Sequence, residues 1–266
     1  MIFEHPYAHA LFAILGFGIA GWLVSLFRND VSFVDGLWSL FFLAAAAAFA
    51  VAAQPLGTRA WLVVILLTMW SLRLSVYITA RNWGRPEDYR YRSIRANNEP
   101  GFAFKSLYIV FGLQGLLAWI VALPLWPAID SAAPINIVDG LALLLWLIGF
   151  AFEAGGDWQL ARFRRSHESQ GRVLDTGLWR YTRHPNYFGD FCIWWSFYLF
   201  AVAAGAWWTI VSPLLMSLLL LKVSGVAMLE RTIESRRPAY AEYASRTNAF
   251  FPGPRRPGST LKEVNS

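Results

Sequence analysis

The segment RYTRHPNYFGD, residues 180–190, sets Arg180, Arg183 and His184 directly before a proline and an asparagine. Proline suits the first turn of a helix, because it has no N–H to leave unpaired. A helix opening at Pro185 turns its free N–H groups and the positive end of its dipole toward those side chains, a combination that binds phosphate. Arginine adds a bidentate fork. Just inside, Asn186 and Asp190 are four apart and Tyr187 lies one position round. A ligand with phosphate outside and an uncharged polar part deeper would match this order. Contact with anionic lipid headgroups is the competing reading of the same charges.

Two further stretches carry ionisable groups at helical spacing. In GFAFEAGGDWQLARFRR (149–165), Glu153 and Asp157 are four apart and Arg164 is seven beyond, so a continuous helix puts all three on one face. That face serves either a polar ligand or an internal Asp157 to Arg164 ion pair. In WSLRLSVYITAR (70–81), Trp70, Arg73, Tyr77 and Arg81 recur along one face. Arg81 reads as a snorkelling side chain, whereas Arg73 suits a buried partner such as Asp35. Gln114 reads as glue between helices. Lys222 and Glu230, followed by Arg231, Tyr240, Tyr243 and Arg246, introduce a mixed polar and apolar segment expected to lie helical at the interface, over the site.

The elements holding these groups must lie in a membrane. Of 266 residues, 56% are apolar and 15% charged, against roughly 25% charged in soluble domains. Runs of about 20 apolar residues, the length a bilayer requires, fall at roughly 7–27, 35–53, 60–80, 104–124, 136–157, 186–204 and 207–224. The expected architecture is therefore an all-α polytopic membrane protein of about seven helices. Arginine and lysine concentrate after the first, third, fifth and seventh runs, with Arg59 alone on the opposite side. The positive-inside rule then puts the N-terminus outside and the C-terminus in the cytoplasm.

The first run lacks a positive leader and is expected to remain as a helix. Cys192 is the single cysteine, which excludes an internal disulfide and a multi-cysteine metal site; no metal is expected. The net charge of +6 follows from the positive-inside bias rather than from nucleic-acid binding. GFGIAG (16–21) matches a dinucleotide-binding turn, but within an apolar helix its small residues serve packing. The alanine run at 43–53 reads the same way. No loop is long enough for a second domain, so residues 1–252 are expected to form one domain with a flexible tail at 253–266.

The stretch GFAFEAGGDWQLARFRRSHESQGRVLDTGLWRYTRHPNYFGDFCIWWSF, with LER and YAEYASRT after it, resembles the steroid 5-alpha-reductase-like membrane protein family, in particular its bacterial DUF1295 branch. NDVSFVDGLWSL and RNWGRPEDYRY extend the resemblance over nearly the whole chain. It implies a seven-helix enzyme of the bacterial inner membrane that holds NADPH in a cavity open to the cytoplasm and reduces an activated carbon–carbon double bond of a lipid. Cofactor contacts implied by position are Asp157, Arg164, Arg180, Tyr181, Asn186 and Asp190, with Lys222 and Glu230. The charge pattern adds Glu153, Arg183, His184 and Tyr187.

At the catalytic end this sequence departs from the family. Where steroid-reducing members carry a Gln-Glu pair and a tyrosine, it has Val34-Asp35 and Trp70. Asp35, Arg73 and Tyr77 are the expected replacements, and the partner is a lipophilic small molecule of unspecified identity. The RHPxYxG core also resembles isoprenylcysteine carboxyl methyltransferases, which use S-adenosylmethionine. A non-catalytic lipid-binding membrane protein is the third alternative.

Overall fold

Inside a bilayer the backbone has no water to bond, so a long apolar run satisfies its own N–H and C=O groups by forming a helix. The computed structural model describes residues 5–166, 171–223, 226, 230 and 239–256, and among these there is no strand. In chain order the helices are α1 (Pro6–Arg28), α2 (Val34–Ala52), α3 (Thr58–Asn82), α4 (Tyr89–Asn98), α5 (Phe102–Val121), α6 (Leu125–Asp130), α7 (Ile137–Arg165), α8 (Pro185–Ala203), α9 (Trp207–Val223) and α10 (Ala239–Arg246). Five of them, α1, α2, α3, α5 and α7, are long and apolar enough to cross a membrane. The chain is an all-helical integral membrane protein.

The other two expected spans fall on α8 and α9. α8 has 19 residues, but Asn186 and Asp190 interrupt its first two turns; α9 is shorter. α7 differs in the opposite direction and continues to Arg165, past the expected end near 157. Apolar content marks where a helix leaves the membrane, not where its hydrogen bonding stops. Arg231 and most of 224–238 lie outside the described residues, as do 257–266 of the expected tail.

The chain divides into two compact units, residues 1–140 with 197–212, and residues 141–196 with 213–266. In the first unit α2 lies against both α1 and α3. Gly21 of α1 sits against Leu37 and Phe111, and Gly18 against Phe41, so GFGIAG serves helix packing. Ser39 of α2 and Ser71 of α3 each donate to the other's carbonyl, at 2.8 and 2.9 Å. Beside them Phe42 meets Trp70, with ring centroids 5.8 Å apart.

At the opposite end of α3, Arg59 is buried and all five of its N–H groups are used. Nε and Nη2 bond the two oxygens of Asp139 at 2.7 and 2.9 Å; Nη1 bonds Ser131 Oγ and the Ala133 carbonyl, and Nη2 also bonds the Pro134 carbonyl. Arg59 is thus a structural anchor for the first turn of α7.

In the second unit α7 and α8 run antiparallel in close contact. A Cβ at Gly189 would collide with the backbone of Gly149 and Glu153, and one at Gly156 would press on Pro185. These glycines bring the Glu153 and Asp157 face of α7 directly against the start of α8.

Candidate functional site

The second unit gathers most of the residues expected to bind a cofactor. Pro185 opens α8, as the sequence predicts. Glu153, Asp157 and Asp190 are 2%, 4% and 8% exposed, and Asn186 Nδ2 donates to Asp157 Oδ1 at 3.2 Å. The α7–α8 crossing thus holds three buried carboxylates and an amide within about two turns. Carboxylates accept hydrogen bonds, so the cluster suits hydroxyl, amide N–H or cationic groups.

Above it, Arg183 is committed to the protein. Nε donates to Glu230 Oε1 at 2.7 Å, Nη2 lies 2.7 Å from the same oxygen, and Nη1 donates to the Ala244 and Thr247 carbonyls at 2.8 Å each. The expected phosphate fork is in this structure a clamp on the end of α10. His184 is buried, with Nε2 3.2 Å from Glu230 Oε1 and its ring stacked on Tyr187 at 5.7 Å. Burial alone would raise the Glu230 pKa, but hydrogen bonds from His184 and Arg183, and their charges, hold it below the usual carboxylate range.

The segment 239–256 completes the clamp. Tyr243 Oη donates to the Trp179 carbonyl at 2.6 Å, Thr182 Oγ1 to the Phe250 carbonyl at 2.7 Å, and Arg183 N to the Asn248 carbonyl at 2.9 Å. Gly253 N bonds the Tyr181 carbonyl, and Arg255 pairs with Asp175. Residues 253–256, the start of the expected tail, are therefore held against the RYTRHPNY loop. Burial pushes the Tyr243 phenol well up, keeping it a donor. Arg164, Arg180, Tyr181 and Lys222 are exposed.

The first unit brings a different set to Asp35. Arg90 Nη2 donates to Asp35 Oδ2 at 2.6 Å and Tyr91 Oη to Asp35 Oδ1 at 2.5 Å; Gln114 Nε2 donates to Tyr91 Oη at 3.1 Å. Burial and the Asp35 charge push the Tyr91 phenol well up, so it stays protonated. Asp35 and Asp88 outweigh burial at Arg90 and hold its guanidinium charged. Arg73 and Tyr77 are half-buried on α3, with the Tyr77 ring under Arg81 at 5.8 Å.

Arg90 and Tyr91 are the functional candidates that the sequence pattern missed. The available signal was Asp88, which caps α4 by accepting from Arg90 N at 2.9 Å and so starts the helix that delivers both side chains. A second carboxylate fixes the same loop: Glu87 accepts from Arg95 Nη2 at 2.7 Å and from Val31 N at 3.0 Å.

A protein family of unknown function, DUF1295, matches residues 21–247, which include both clusters. The chain belongs to this family. A DUF1295 match of this extent takes in the last turns of α1 and all of α2 to α10. An uncharacterized protein of Schizosaccharomyces pombe is 28% identical over 284 residues, covering 93% of this chain and 80% of its own length. No solved structure matches.

Proposed function

We propose that the chain is an NADPH-dependent membrane reductase of the steroid 5-alpha-reductase-like group, acting on an activated carbon–carbon double bond of a lipophilic substrate. The reading includes seven spans, with α8 and α9 as the last two, and a cofactor site facing the cytoplasm of a bacterial inner membrane. Its main support is the buried acid and amide cluster of Glu153, Asp157, Asn186 and Asp190. Ionisable groups inside membrane helices are costly and mark ligand sites by default.

The donor set fits a dinucleotide in part. Ribose hydroxyls and a carboxamide suit Asp157, Asn186 and Asp190, while Arg180 and Lys222 are exposed cations that suit phosphates. Arg183 fits that role poorly while Glu230 and two carbonyls hold it. Bound there, NADPH would supply hydride. The acid role moves from Tyr77 to Tyr91, whose phenol is kept protonated and oriented by Asp35 and Gln114.

One observation favours a second reading. Three buried carboxylates beside a clamped arginine also suit the amino group and ribose of S-adenosylmethionine, as in a membrane methyltransferase. The test is thermal stability of the detergent-purified protein with NADPH, NADH or S-adenosylmethionine. A ligand that binds only the folded state at about a hundred times Kd adds about 2.7 kcal/mol. Stabilisation by NADPH that Asn186→Ala abolishes, and Tyr91→Phe leaves intact, supports the reductase. Stabilisation by S-adenosylmethionine alone moves the chemistry to methyl transfer, and silence from all three leaves a non-catalytic lipid-binding protein.

A further inference from the structure

Three nitrogens from the residues just before α8 meet on one oxygen of Glu230. Arg183 Nε and Nη2 each lie 2.7 Å from Oε1, and His184 Nε2 lies 3.2 Å from it. A carboxylate only accepts hydrogen bonds, so Nε2 is the ring nitrogen that carries the proton in this contact. An arginine edge of this kind binds carboxylate and phosphate alike.

The donors are built in. Arg183 Nη1 donates to the Ala244 and Thr247 carbonyls at 2.8 Å each, which holds the guanidinium in place whichever anion its other edge meets. The His184 ring is backed by Tyr187, stacked at 5.7 Å and 16°, and the His184 N–H donates to Thr182 Oγ1 at 3.3 Å. Their side chains are 12% and 6% exposed, against 26% for Glu230. A carboxylate that reaches water can be solvated on leaving, whereas two buried donors need an acceptor. The positive end of the α8 dipole begins one residue on, at Pro185, and favours a negative group at the same place.

We propose that this is an oxyanion site in which Glu230 is an internal stand-in: a phosphate group on a ligand takes its place on Arg183 and His184, and the Glu230 carboxylate turns out to water. The resting contact is autoinhibitory. An incoming phosphate must displace a bound carboxylate, so its apparent affinity is lowered by the fraction of molecules in which Glu230 holds the donors. The required chemistry is a phosphate, whether on a soluble molecule or on a lipid headgroup, and the exchange does not rest on NADPH being the ligand.

The test removes the charge of the stand-in and keeps its shape. Glu230→Gln retains an amide oxygen for the arginine while losing the negative charge. The full chain in neutral detergent is titrated with inorganic pyrophosphate and followed by calorimetry. Wild type should bind weakly and Glu230→Gln about tenfold more tightly, the low end of what hydrogen bonds to a charged group contribute. Arg183→Gln in the Glu230→Gln background should erase the gain. Phosphatidic acid in the micelle is the second arm: a gain for it alone assigns the phosphate to a lipid, a gain for pyrophosphate assigns it to a soluble ligand, and either supports the site. Equal affinity of wild type and Glu230→Gln for both probes overturns the proposal, as does a gain that survives the loss of Arg183. In wild type, where no substitution can disturb folding, the probe that binds should shift the Arg183 Nε–H resonance in NMR, and an unmoved resonance at saturation also overturns it. Absence of stabilisation by NADPH leaves these results untouched, so the two readings fail separately.

Discussion

Replacing Arg183 by lysine should release the 239–256 segment from the RYTRHPNY loop. The guanidinium reaches Glu230 and two carbonyls at once, through Nε, Nη1 and Nη2. A lysine ammonium is a compact charge on a flexible stem and can keep the Glu230 contact while losing the forked pair. Hydrogen bonds to charged groups contribute about 1.5–3 kcal/mol each. With the side chain 12% exposed, water restores part of the two lost bonds, leaving a net cost of about 3 kcal/mol. Because the clamp opens locally, hydrogen exchange is the assay that reads it. The amides of Arg183 and Gly253, bonded across the clamp to Asn248 and Tyr181, should exchange about a hundredfold faster in the variant. Wild-type protection in Arg183→Lys would refute the clamp. Should protection survive while ligand binding is lost, Arg183 is a ligand fork after all.

The same clamp should weaken in acid. Glu230 has a folded pKa below its ordinary value, so its contribution is full above about pH 4.3 and is lost as pH falls through the lower folded pKa. Exchange at Gly253 should rise over that window in wild type, and Glu230→Gln should flatten the response; a rise of equal size in the variant would assign the effect elsewhere. Arg59→Ala strands Asp139 without its buried partner and should cost about 3–5 kcal/mol in thermal unfolding. A loss under about 1 kcal/mol would show that water replaces the pair. Gly189→Ala places a Cβ against the backbone of Gly149 and Glu153 and should cost about 1–3 kcal/mol. If its unfolding midpoint matches wild type, the α7–α8 crossing is looser than described.

Hydropathy and composition alone determined the elements: an all-helical membrane chain, a helix opening at Pro185, and boundaries mostly within two or three residues of the observed ones. They did so because the bilayer leaves each apolar run one backbone solution. The same periodicity put Glu153 and Asp157 on one helix face and set Asn186 and Asp190 four apart at the start of another. Only the tertiary structure decided which partners those groups and the arginines take. Arg183 carries the same residue type and spacing whether it grips phosphate or Glu230, and the choice depends on a segment about fifty residues later folding back. Asp35 likewise takes its partners from a short helix whose polar sequence carries no membrane signal. Arg59, a lone positive charge in the sequence, became an anchor only once Ser131, Asp139 and two carbonyls converged on it. Local pattern is encoded by neighbours along the chain, whereas charge pairing is settled by contacts between residues far apart in it.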